Sequence, residues 1–125
     1  MKITELRMGN FLESKEENYL FRKGIISVSL STLSKLNVYG CDILHEIPLT
    51  IVFLTENGFI KIGGGYSEKT DLSHEYYSKN EVHVRVCENG KITYQYPNFE
   101  IKYVHQMQNI YFSLTGKELV HIIEI

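Results

Sequence analysis

The stretch VHVRVCENGKITYQYPNFEIKYVHQMQNIYFSLTG, residues 82–116, carries both of the periods that a mixed fold needs. From Val82 to Tyr96, apolar and polar residues alternate around Asn89-Gly90, a short-range hairpin signal. A two-residue turn there opposes Val86 to Thr93 and Val84 to Gln95, mixing apolar with polar. A three-residue loop, Glu88 to Gly90 with Gly90 left-handed, opposes Val86 to Ile92, Val84 to Tyr94 and Val82 to Tyr96. His83, Arg85, Thr93 and Gln95 then share the other face. One residue of register decides which face is apolar, so the spacing predicts the bulged hairpin.

After Pro97 the period changes from two to 3.6. Asn98 is placed to cap a helix whose inward positions are Tyr103, Val104, Met107, Ile110, Tyr111 and Leu114, with Gly116 ending it. A second stripe on this helix, Ile101, His105, Gln108 and Phe112, lies roughly a quarter to half a turn from the first at ~100° per residue. Its bland reading is the rim of the buried face. The sharper reading makes His105, Gln108 and Phe112 a partly exposed contact surface, since aromatic and polar residues mix in interfaces. The tail from Leu119 to Ile125 reads as a final strand.

Working back towards the N-terminus, Ile47 to Phe59 has two readings. By propensity, Thr50–Thr55 and Phe59–Ile62 are strands joined at Asn57-Gly58; by caps, Thr50 opens a helix that Asn57-Gly58 closes. Gly63-Gly64-Gly65 and the polar stretch to Ser73 read as a long surface loop. Ile25, Ile26, Val28 and Leu30 interleave with serines, and with the apolar islands Phe11-Leu12 and Tyr19 to Phe21 they suggest a small curved sheet. Ser31 is placed to cap a short helix holding Leu33 and Leu36.

The chain has 125 residues, 43% hydrophobic and 22% charged, with a net charge of -2. That is enough for one domain, residues 1–125, that hides about two-thirds of its unfolded surface. Fourteen isoleucines and nine tyrosines, with no alanine, favour strands over a helical bundle. No apolar run reaches the ~20 residues of a membrane helix, and MKITELRMGN has no signal-peptide core. Cys41 and Cys87 make no disulfide framework, which fits a reducing compartment.

Chemistry-bearing patterns are sparse. Cys41 and His45 lack the second ligand pair that zinc requires, and no metal or cofactor is expected. Nucleophilic serine spacing and phosphate-cradling loops are missing as well. Thirteen basic residues are interspersed with fifteen acidic ones, which argues against nucleic acid as a partner.

The run from Ile101 to Leu119 resembles the ending "KYVHQLQNLYFALTGEEL" of a family of small proteins of unassigned function from gut-bacterial phages, prophages and mobile elements. Leu6 to Leu12 resembles that family's opening "LRIGNWV". Ile47 to Thr50 with Asn57 to Phe59 resembles its "PIPLTEEILLKFGF". The matches occur in the family's order and span the chain. The resemblance tilts the middle segment to helix, although Ile51 and Val52 stand where the family has acidic residues suited to a helix N-terminus. It implies a cytoplasmic accessory protein of a mobile element, and it carries no catalytic residue over.

The expectation is one α+β domain: a curved N-terminal sheet resembling an SH3-like barrel, a short helix at 50–57, then the hairpin and helix. Its core is expected to hold Leu6, Ile26, Val28, Leu54, Val84, Val86, Ile92, Tyr94, Val104, Met107, Tyr111 and Leu114. The leading functional expectation is a non-catalytic module binding a protein partner or itself. The alternatives are an enzyme assembled from scattered Cys and His residues and a weak nucleic-acid binder. A pocket that joins His and Cys within hydrogen-bond reach would favour the enzyme.

Overall fold

The computed structural model describes residues 2–18, 20–40, 43–68, 72–94 and 99–122. After a 3-10 turn at Ile3–Glu5 come β1 (Phe11–Ser14), β2 (Gly24–Ser27), α1 (Leu30–Tyr39), β3 (His45–Glu46) and α2 (Ile51–Glu56). Then follow β4 (Ile60–Ser67), β5 (Leu72–Lys79), β6 (Val82–Cys87), β7 (Ile92–Tyr94), β8 (Phe99–Glu100) and α3 (Val104–Thr115). Two antiparallel sheets result, one ordered β2-β1-β3 and the other β4-β5-β6-β7-β8. The architecture is α+β.

The hairpin has the expected register. Val86 pairs with Ile92 and Val84 with Tyr94. Gly90 has φ +89, and the Cys87 N–H donates to the Lys91 carbonyl at 2.9 Å. The proposed Val82–Tyr96 pair and the exposure of Gln95 lie outside the described residues, as does Asn98. The helical reading of the middle segment prevails. The Thr50 hydroxyl accepts from the Phe53 N–H at 3.3 Å, and Gly58 turns the chain out at φ +88. These caps and the burial of Phe53 and Leu54 outweigh the β-propensity of Ile51 and Val52.

The cap of α1 is Ser29, two residues before the expected Ser31. Ser29 and Thr32 bond reciprocally, each side-chain oxygen accepting from the other's backbone N–H at 3.2 Å. α3 starts at Val104 because the backbone just before it is already engaged in sheet-like pairing. Phe99 pairs with Tyr94, Ile101 donates to the Ile92 carbonyl, and Pro48 bridges Tyr103. The Gln106 side chain then accepts from the N–H groups of Lys102 and Tyr103, at 3.0 and 3.1 Å. Gly116 ends α3 in the left-handed region, as its sequence position suggests.

Four expectations are corrected. The N-terminal sheet is not an SH3-like barrel: three strands of 4, 4 and 2 residues make an open sheet, too short and too few to close. Gly63 to Gly65 belong to a strand, because a close partner strand takes up their backbone groups. The tail forms no strand from Leu119 to Ile122, because side-chain amides satisfy its backbone instead. Asn57 donates to the His121 carbonyl at 2.6 Å and accepts from its N–H at 2.9 Å. Leu114 is 53% exposed, since α3 is rotated so that Val104, His105, Met107, Gln108 and Tyr111 face inward.

The expected core is also divided. Leu12, Phe21, Val28, Leu36 and Leu44 form one cluster beneath the three-stranded sheet, with Leu6 and Ile26 at its margin. Leu54, Val84, Ile92, Val104, Met107 and Tyr111 belong to a larger one under the five-stranded sheet, with Val86 and Tyr94 packed against it. α3 lies between the two.

Candidate functional site

The stretch chosen from sequence as a contact surface is a structural joint. His105 and Gln108 are fully buried, and of the three residues only Phe112 keeps exposure, at 38%. The cause is a second buried face on α3, directed at the N-terminal sheet and made of polar residues, which an apolar period does not register. Gln108 uses both ends of its amide. Its oxygen accepts from the Phe11 N–H at 2.8 Å, while its nitrogen donates to the carbonyls of Gly9 and Leu119, each at 3.0 Å. Asn10, also fully buried, donates to the Asn109 side chain at 2.8 Å and accepts from the Arg7 N–H at 2.6 Å. Arg7 pairs with Glu118 and lies 4.1 Å from the centre of the Phe112 ring. Residues 6–12 and 101–119, read separately in sequence, therefore meet as a single joint. Ile47 and Leu49 join it through backbone bonds to Val104 and Lys102.

His105 sits in the same layer, stacked on Tyr103 at 6.0 Å between ring centres. Among the described residues neither ring nitrogen has a hydrogen-bond partner. Burial therefore depresses its pKa below the usual histidine value, with Glu46 and Glu5 pulling more weakly the other way.

Two cavities offer room for chemistry. An apolar one of about 330 Å³ is lined by Ile47, Pro48, Val52, Phe53, Val104 and Ile122, with Thr50 the one described lining residue that carries a hydroxyl. That hydroxyl is already engaged with the Phe53 N–H. The other, about 220 Å³, lies on the polar side of the hairpin and includes His74, Arg85, Cys87, Lys91 and Thr93. His74 and Cys87 are direct cross-strand neighbours there. They share a cavity, yet no hydrogen bond joins them, and the described lining residues include no carboxylate to orient an imidazole. The His74 ring instead packs edge-on to Tyr76 at 5.0 Å. Cys41 lies outside the described residues. Among the described residues, no three His, Cys, Asp or Glu side chains are grouped to hold a metal ion.

The feature that sequence reading missed is the edge of the larger sheet. Among the described residues β4 forms one edge with eight residues, whereas β8 at the other edge has two. Large apolar side chains stand exposed along β4: Ile60 at 66%, Ile62 at 51% and Tyr66 at 56%. Natural edges are commonly kept short, bulged or charged. β4 carries a bulge at Ile62 and one charge, Lys61. That ammonium is held over the strand's own sheet by Glu75, at 3.1 Å. Tyr77 donates to the same carboxylate at 2.9 Å. These two bonds lower the Glu75 pKa, and burial, followed by the bond to Glu75, raises that of the Tyr77 phenol. Alternation of Ile60, Ile62 and Tyr66 across a glycine run was the available signal, and it was obscured by reading the glycines as a loop.

No protein-family model, curated protein or solved structure matches the chain. Among the described residues no helix is long and apolar enough to cross a membrane.

Proposed function

We propose that the chain is a non-catalytic protein-interaction module that docks its partner by strand addition on β4. One observation carries this reading: an eight-residue sheet edge with exposed apolar side chains and its only lysine turned back onto the sheet. An added strand gains main-chain hydrogen bonds from such an edge, and side chains at alternate positions supply selectivity. The sequence resemblance supports a setting in the cytoplasm as an accessory protein of a mobile element. The enzyme reading retains the cavity shared by His74 and Cys87 and ranks second, since no hydrogen bond couples the pair.

The test is capture by a tagged chain in its native host, with its own untagged copy counted among the captured proteins. Ile62→Lys places a charge on the exposed edge and is expected to reduce capture about tenfold or more, whereas Phe112→Ala leaves it unchanged. A captured set indifferent to Ile62→Lys would overturn the proposal.

A further inference from the structure

We infer that the strand received by β4 is β4 of a second copy, paired antiparallel about a two-fold axis through Gly64. The inference rests on the strand-addition reading and names its partner. Residues 62–66 are Ile-Gly-Gly-Gly-Tyr, apolar at both ends with glycine between, and so nearly the same pattern in either direction. Pairing about Gly64 sets Ile62 opposite Tyr66 of the second copy, and by symmetry Tyr66 opposite Ile62. Aliphatic–aromatic pairs across a ladder are favourable, and an aromatic ring covers the bare backbone beside glycine. Lys61, on the far side of the bulge, falls nearest Ser67, so no like charges face each other.

The glycines fit this arrangement in different ways. Gly64 suits its own sheet, where a Cβ would crowd the His74 carbonyl oxygen at 3.0 Å. Gly63 has no such restriction, since a Cβ there would meet only Tyr76 Cδ2 at 4.0 Å. Opposite Gly65 of a second copy, its lack of a side chain leaves room for the flanking Ile62 and Tyr66 to close over the ladder. Gly63 to Ser67 stay in step with β5, so the edge offered is regular over these five residues, with Ile62 at the bulge that bounds them. A self-paired strand also closes the assembly at two copies. Pairing β4 with β8 would instead run on as an open polymer, and two residues are little to pair with.

Sedimentation of the full chain over a concentration series is expected to show a reversible monomer–dimer equilibrium. Ile62→Lys, at a half-exposed position that the monomer tolerates, raises the dissociation constant about tenfold or more. The register is read by disulfide trapping in a Cys41→Ser, Cys87→Ser background. Ile62→Cys mixed with Tyr66→Cys yields cross-linked heterodimers, and neither variant cross-links alone. A chain that stays monomeric to about 1 mM overturns self-pairing. A dimer insensitive to Ile62→Lys, or trapped in another register, does the same. Should the chain be monomeric while Ile62→Lys still loses captured host proteins, self-pairing falls and strand addition stands.

Discussion

The two sheets grip the same helix with opposite chemistry. Against the five-stranded sheet α3 turns Val104, Met107 and Tyr111, which join Leu54, Val84 and Ile92 in an apolar cluster. Against the three-stranded sheet it turns Gln108 and Asn109, which bond to backbone and side-chain groups from Glu5 to Phe11. Apolar packing is non-directional and tolerates a shift of shape, whereas amide bonds specify one alignment and fail when one partner is lost. The difference follows from size. Strands of 4, 4 and 2 residues over a cluster of five buried side chains make too small a unit to hold itself together, so its placement depends on the joint.

The largest expected effect comes from breaking that joint. Gln108→Leu keeps the volume but leaves the Phe11 N–H and the Gly9 and Leu119 carbonyls without their partner. A fully buried group left unpaired costs ~1–3 kcal/mol, and because two of these three bonds are only part-buried the sum stays in the lower half of the range, about 3–5 kcal/mol of unfolding free energy. Met107→Leu, one residue away on the apolar side, is expected to cost less than ~1.5 kcal/mol. Denaturant titration reads both values. Hydrogen exchange of Gln108→Leu should open β1 and β2 before β5 and β6. Equal losses for the two variants, or uniform exchange, would remove the contrast between the two sides of α3.

His105 sharpens the comparison through pH. Its folded pKa lies below 6.5 because burial disfavours the imidazolium. Above about pH 6.5 both the folded and the unfolded chain hold it neutral, so it adds no pH dependence. As the pH falls below that value the unfolded chain takes up the proton first. Stability then declines until the pH reaches the folded pKa, with a slope of at most ~1.4 kcal/mol per unit for one proton. His105→Phe should flatten this part of the profile, measured as unfolding free energy between about pH 7 and 5. A profile unchanged by the substitution would place the acid sensitivity elsewhere.

Legibility from sequence divides along the same line. The hairpin was readable because only one register puts Val84, Val86 and Ile92 on one face, and Gly90 supplies the positive φ it needs. Apolar periodicity likewise located α3 and most of its inward side. It was silent on the other side, where His105 and Gln108 are buried as completely as Met107. Gln108 announces its burial only through its partners, and most of those lie about a hundred residues away at Gly9, Asn10 and Phe11, while His105 has no hydrogen-bond partner among the described residues. β5 and all of β4 beyond Ile62 were missed for a local reason; the start of β4 lies in the strand Phe59–Ile62 that the propensity reading offered. Three consecutive glycines resemble a loop, and the turn that follows β5 carries no Asn-Gly signal.

That turn gives the smallest and most local test. Lys79 pairs with Val82, leaving Asn80-Glu81 as a two-residue connection with φ +48 and +65. Positive φ at both positions is the type I′ geometry that suits the twist of paired strands, and Asn is among the residues that tolerate it well. Glu81 is not: a side chain in the left-handed region costs roughly 1–2 kcal/mol, and glycine at the second position avoids that cost. Glycine loses more backbone freedom on folding, which offsets part of the gain. Glu81→Gly is therefore expected to stabilise the protein by about 0.5–1 kcal/mol, raising the denaturation midpoint without altering the slope. The gain should appear in the β5–β6 hairpin and leave exchange in β1 and β2 as it was, because the three-stranded sheet is held by a separate set of bonds. Destabilisation by this substitution would mean that the Glu81 side chain contributes more than its backbone strain removes.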